Sequence, residues 1–157
     1  MYMGQKRFWP KAISVELRRL PWRLFGSCLV ALAAALLLAL VSWSFNDPGP
    51  NYTTDLHPRN WLGYRGAGAA QILMEGVGLA APLILVPLAA LGLHIAGGYS
   101  PLRPRLRLLF WISALFTAPG FFASLPTPPR WLLGTGLGGI LGDFVAGRIA
   151  KIGRAHV

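Results

Sequence analysis

A chain of 157 residues that is 54% hydrophobic and only 13% charged lacks an ordinary soluble surface, which carries about 25–35% charged residues. Its net charge of +10 would suit nucleic acid, but the basic residues cluster just outside apolar segments, as membrane orientation requires, so no direct DNA contact is expected. The single cysteine, Cys28, excludes an intrachain disulfide or a cysteine zinc site and reads as a small apolar filler.

Residues 1–23 form a basic tail, with Lys6, Arg7, Lys11, Arg18, Arg19 and Arg23 against one acid, Glu16. Leu24 to Phe45 then carries no charge, with Trp22 and Trp43 near its ends. At helical rise those two tryptophans stand roughly 31 Å apart, about the thickness of a bilayer's hydrocarbon core. Tryptophan favours the headgroup level, so 24–45 is predicted as an uncleaved first span.

A polar stretch, 46–65, precedes a glycine-rich helix predicted at about 66–76 and a second span at about 77–96, interrupted by Pro82 and Pro87. Gly97-Gly98-Tyr99-Ser100-Pro101 breaks the chain before Arg103, Arg105 and Arg107. A third span is predicted at about 108–125, with Trp111 near one end and a kink at Pro119. A short proline-rich loop and Trp131, a further interface anchor, lead to a second small-residue helix at about 136–147.

Orientation follows from counting Lys and Arg. Nine lie in the tail and the 99–107 loop, against three in the loops 46–70 and 125–131, which places the N-terminus in the cytoplasm. The two glycine-rich helices then both lie on the outer side. Aligning Gly66 with Gly138 pairs Ala70 with Gly142 and Gln71 with Asp143, the pattern of a duplicated hairpin. Gly63, Gly66, Gly68, Ala70, Gly138, Gly139 and Gly142 are the candidate packing and assembly positions, because small residues let helix backbones approach closely. Generic Gly/Ala packing would give similar spacings.

Catalytic chemistry is sparse. Asp47, Asp55 and His57 share the outer loop without the spacing of a metal site, and Asp-Pro there reads as turn chemistry. His94 has no partner acid at its depth, and no serine stands in a nucleophile's context. Glu75 and Asp143 are the carboxylates beside apolar spans. At the outer interface they suit an anchor; lining a pathway with the kinked second helix, they would suit a small transporter or channel subunit.

In order, these pieces resemble the N-terminal membrane region of the FtsK/SpoIIIE family of DNA translocases. The first span ends in Ser42-Trp43-Ser44-Phe45-Asn46-Asp47-Pro48, similar to that family's span followed by an aspartate–proline pair. Asn60-Trp61-Leu62-Gly63-Tyr64-Arg65-Gly66-Ala67 resembles its Asn-x-x-Gly-x-x-Gly-Ala segment, although Gln71 stands where the family usually has an aspartate. Gly76-Val77-Gly78-Leu79-Ala80-Ala81 resembles its approach to the second span, and Gly138-Gly139-Ile140-Leu141-Gly142 its Gly-Gly-x-x-Gly stretch before a fourth.

The resemblance implies an all-α, polytopic helical bundle at the bacterial inner membrane, at the division septum, homo-oligomeric and in contact with septal proteins. It implies an ATP- and magnesium-dependent DNA pump in the full-length protein. The present chain, which has no phosphate-loop motif, would be the non-catalytic anchor, without cofactor or metal. Three complete spans are expected, with 136–147 leading to a fourth that is missing. Residues 152–157 back-translate to ATC GGA AGA GCA CAC GTC, the opening of a common sequencing adapter. Residues 151–157 are therefore expected to be adapter read-through, and the membrane domain to run over 24–150.

Overall fold

A computed structural model describes residues 11–50, 57–99, 104–129, 131 and 133–154. Among them are five α-helices: α1 (Lys11–Val41), α2 (Gly63–Val77), α3 (Ala81–Ala96), α4 (Pro104–Ala123) and α5 (Gly139–Arg154). A 3-10 turn, Gly78–Ala80, joins α2 to α3.

Three helical stretches are long and apolar enough to cross a membrane: Arg19–Val41, Gly63–Ala96 and Arg105–Ala123. Their outward faces agree with that reading. Trp22, Val86, Phe110 and Phe121 are each more than 60% exposed, on helices whose own buried positions are mostly alanine, glycine and leucine. In water so much open apolar surface would drive association; in lipid it is the solvent-matched face.

The helix limits differ from the sequence expectation in physically explicable ways. α1 begins inside the predicted tail, at Lys11, and holds Pro21 within it. It stops at Val41, although the apolar run continues to Phe45. The Ser42 backbone N–H and hydroxyl both donate to the Leu38 carbonyl, at 3.0 and 2.7 Å, which closes the last turn. The small-residue helix and the second span part at the Gly78–Ala80 turn, next to the expected boundary at 76–77. Pro82 sits in the first turn of α3, where its missing N–H costs nothing, whereas Pro87 lies inside the helix. α2 starts three residues earlier than expected, while α5 starts three later than expected and runs on to Arg154. Residues 155–157, and Arg103, lie outside the described residues.

α1 packs most extensively on α3, and α4 on α5, with α2 bridging to both pairs. α1 and α3 run antiparallel, because the N-terminal half of α1 meets the C-terminal half of α3. Gly26 faces Gly92 there: a Cβ on Gly26 would lie 2.6 Å from the Gly92 carbonyl oxygen, and one on Gly92 2.8 Å from that of Gly26. Only hydrogen fits at this crossing, and neither glycine stood out in the sequence.

The end of α3 is capped by backbone alone. Tyr99 N–H donates to the His94 carbonyl (3.1 Å) and Gly98 N–H to that of Ile95 (3.1 Å). Gly98 takes φ 72°, the left-handed value this Schellman cap requires.

Candidate functional site

The end of the bundle where α1 stops and α2 and α5 start holds the polar residues of the interior. Asp47, Asn60 and Gln71 are the buried polar or charged residues among those described. Asp47 and Asn60 lie in the connection between α1 and α2, and Gln71 lies within α2.

Asn60 does most of the joining. Its Nδ2 donates to the Ala39 carbonyl in the last turn of α1 at 2.7 Å. Its Oδ1 accepts the Leu62 N–H, at the start of α2, at 3.1 Å. Its backbone carbonyl accepts the Gly63 N–H at 2.9 Å. One amide, with both a donor and an acceptor, therefore serves orphan groups at the ends of two helices. The glycines around it follow from this geometry. Gly63 takes φ 64°, and a side chain on Gly66 would overlap the Asn60 carboxamide. The Asn-x-x-Gly-x-x-Gly pattern is thus one turn seen in sequence.

Asp47 and Ser42 complete the corner. Asp47 Oδ1 accepts the Arg59 N–H at 2.7 Å, and Ser42 Oγ accepts the Trp61 N–H at 3.1 Å. Among the described residues, Asp47 Oδ2 is buried without a hydrogen-bond partner. Gln71 Nε2 donates to Glu75 Oε1 at 2.8 Å, and a side chain on Gly49 would overlap the Gln71 amide.

The second glycine-rich stretch closes the other side. Side chains on Gly138 and Gly142 would run into the Pro119 carbonyl of α4, and Pro119 itself is fully buried. Gly139 takes φ 63° and would place a Cβ 2.6 Å from the Glu75 carbonyl oxygen at the end of α2. Gly78 takes φ 60°, and a side chain there would overlap the Leu137 carbonyl, which accepts the Leu79 N–H at 2.9 Å. Asp143 Oδ2 accepts the Gly136 N–H at 3.0 Å, a local turn at the start of α5. Four chain segments therefore meet through backbone rather than side chains.

The two helix starts correspond, in a register different from that expected. Gly63 and Gly139 both open their helices at positive φ, and each donates its N–H to the residue three before it, Asn60 or Gly136. Gly66 then matches Gly142, not Gly138, a shift of one helical turn. In this register Gln71 and Asp143 are no longer equivalent.

The remaining expected positions scatter. A Cβ on Gly68 would meet only Pro50 Cδ, at 3.8 Å, and Ala70 is buried. Ala67 is buried beside Gly66. Trp22 is exposed, Trp43 and Trp111 are half-buried, and Trp131 donates its indole N–H to the Thr135 carbonyl at 2.8 Å. Arg19, Arg105 and Arg107 are exposed; Arg23 lies beside Gly98 at the C-terminal end of α3. Arg18 is helical, but its side chain is outside the described set. His57 faces the Tyr64 hydroxyl at 3.4 Å, and Asp55 is outside the described residues.

Fold and corner together define a multi-pass helical membrane domain whose helix ends are locked by one asparagine and a set of backbone-approach glycines. The family described as the 4TM region of DNA translocase FtsK/SpoIIIE matches residues 18–154, and the chain belongs to that family. Its relatives include proteins named DNA translocase FtsK. That of Agrobacterium fabrum is 34% identical over 122 residues, covering 78% of this chain and 14% of the relative. That of Rhizobium meliloti is 36% identical over 128 residues, covering 79% and 14%. That of Bradyrhizobium diazoefficiens is 36% identical over 134 residues, covering 85% and 16%. The chain thus spans about one seventh of the length of these relatives. No solved structure matches it.

Proposed function

We propose that this chain is the inner-membrane anchor of an FtsK-like DNA translocase that acts in cell division and chromosome segregation at the septum. The observation that carries this reading is the family match over residues 18–154, which takes in all three membrane-capable helices. The anchor holds position through its spans and contacts the bilayer, further copies of itself and septal division proteins. DNA pumping, with ATP and magnesium, belongs to a motor outside the matched membrane region.

The N-terminus lies in the cytoplasm, together with the loop that carries Arg103, Arg105 and Arg107. Residues 46–70, with the Asp47–Asn60 corner, lie outside, and the basic residues hold this orientation against anionic lipid. The local partners of Glu75 and Asp143, the Gln71 amide and the Gly136 N–H, support structural rather than pathway roles.

Fusions to alkaline phosphatase and to a cytoplasmic fluorescent reporter test the topology. Phosphatase after Tyr52 is expected to be active and after Leu102 inactive, with fluorescence reversed. The opposite pattern would overturn the orientation. Replacing the membrane region of an FtsK relative with this chain tests the function: midcell recruitment is expected, and uniform membrane distribution would count against a septal role.

A further inference from the structure

α3 and α4 touch only sparsely, and between them lies a groove of about 770 Å³. Its depth is apolar, lined by Pro87, Ala90 and Leu91 of α3 and Leu108 and Ala114 of α4. Its polar lining residues are His94, in the last turn of α3, Arg107, near the start of α4, and Trp111. All three belong to the end of the bundle where the α3–α4 connection lies.

We propose that this groove seats one anionic glycerophospholipid, with its phosphate at His94 and Arg107 and an acyl chain along the apolar depth. The reading rests on the chain being a membrane domain. Three observations select this occupant.

The first is charge. Arg107 has no carboxylate partner among the described residues, and Arg105 and Arg23 add positive charge at the same end. The acids with described side chains, Asp47, Glu75 and Asp143, sit at the opposite end, around the close of α1, the end of α2 and the start of α5. An anionic headgroup is complementary to this mouth, and basic pockets between membrane helices bind such headgroups.

The second is depth. Pro87 lies seven residues inward from His94, and Ala114 seven inward from Arg107. At helical rise the groove therefore continues about 10 Å past its charged mouth. A purely electrostatic surface would need no such apolar continuation, whereas an acyl chain does.

The third is order at the mouth. His94 is held in the Schellman cap, and its ring stands against Tyr99, with centroids 6.1 Å apart. Trp111, one turn from Arg107, brings an amphipathic ring of the kind enriched at the headgroup level.

The test uses the whole chain, purified in mild detergent from membranes, with bound phospholipid measured by native mass spectrometry after exchange into phosphatidylglycerol–phosphatidylcholine mixtures. Wild type is expected to retain one phosphatidylglycerol in preference to phosphatidylcholine. Arg107→Gln should weaken that retention roughly fivefold, as loss of one basic residue near an anionic surface would. Ala114→Trp, which fills the depth and leaves the charges in place, should also release it.

Retention unchanged in Ala114→Trp would overturn the proposal in favour of headgroup attraction alone. Equal retention of the two lipids by wild type would overturn it as well. Leu91→Cys in a Cys28→Ser background distinguishes protein occupants: a disulfide-linked pair of chains through Leu91→Cys would mean that a second copy fills the groove. Carbonate extraction of the wild-type chain is read in parallel. Release from the membrane there would sink the anchor reading itself, whereas a membrane-retained chain without bound phosphatidylglycerol would sink only the lipid seat.

Discussion

The side chain of Asn60 reaches back across twenty-one residues to donate its amide to the Ala39 carbonyl at 2.7 Å, tying the end of α1 to the start of α2. In a membrane helix the last four carbonyls have no intrahelical donor and little water to turn to. Asn60 resolves one of them, and with its oxygen resolves an N–H of the next helix.

Asn60→Ala should therefore destabilise the domain by about 1–3 kcal/mol, the usual cost of stranding buried polar groups. Asn60→Asp should do at least as badly, because it replaces the donor facing Ala39 with an acceptor. Thermal unfolding in detergent reads both. An aspartate variant as stable as wild type would mean that the Ala39 contact carries no weight.

The glycine junction predicts an ordering of substitutions set by backbone angle and neighbouring atoms. Gly68 lies inside α2 with ordinary space around it, so Gly68→Ala should be neutral or stabilise by up to about 1 kcal/mol. Gly63→Ala meets no neighbour but must hold φ 64°, a strain of about 1–2 kcal/mol. Gly78→Ala combines a similar positive φ with overlap on the Leu137 carbonyl and should be the most damaging of the three. Ranking the unfolding temperatures checks this, and Gly68→Ala falling lowest would contradict the open space around that position.

The apolar helices were legible because unbroken hydrophobic runs with flanking arginines and tryptophans have few other physical meanings. Their ends were less so. Nothing in the run Leu24 to Phe45 marks Val41 as its last helical residue, because the stop depends on the Ser42 hydroxyl and on Trp61 and Asn60 arriving from another segment. The glycine-rich helices were legible as helices but not in register. Small residues three and four apart match one another in several frames, and only the positive φ of Gly63 and Gly139 fixes which frame is structural.

Gly26 and Gly92 show the limit more sharply. Each is a single glycine in an apolar helix with nothing in its flanks to mark it, and their meaning lies in facing one another. Gly92→Val should force α1 and α3 apart, since even a Cβ there would sit 2.8 Å from the Gly26 carbonyl oxygen. Overpacking of this kind costs about 1–3 kcal/mol. Gly76→Val, at a glycine with open space around its Cβ position, is the control and should cost less. Cysteines introduced at Val30 and Ala89, across the same interface, would report the separation by cross-linking yield. An unchanged yield in Gly92→Val would show that the crossing tolerates the added bulk.

Asp47 joins the end of α1 to the approach to α2 through the Arg59 N–H. It is only 5% exposed, yet one of its oxygens accepts a hydrogen bond and the other accepts none among the described residues. A buried carboxylate with an unsatisfied oxygen carries a desolvation cost that a neutral amide largely avoids. Asp47→Asn keeps an acceptor for the Arg59 N–H, so its stability should equal or exceed that of wild type. Asp47→Ala strands that N–H and should lose about 1–3 kcal/mol. The two variants separate a structural acceptor from a functional charge. If both variants show these stabilities, yet Asp47→Asn fails in the midcell recruitment assay, the charge serves a partner rather than the fold. If Asp47→Asn is as unstable as Asp47→Ala, the corner requires the carboxylate itself, and the acceptor account of Asp47 is wrong.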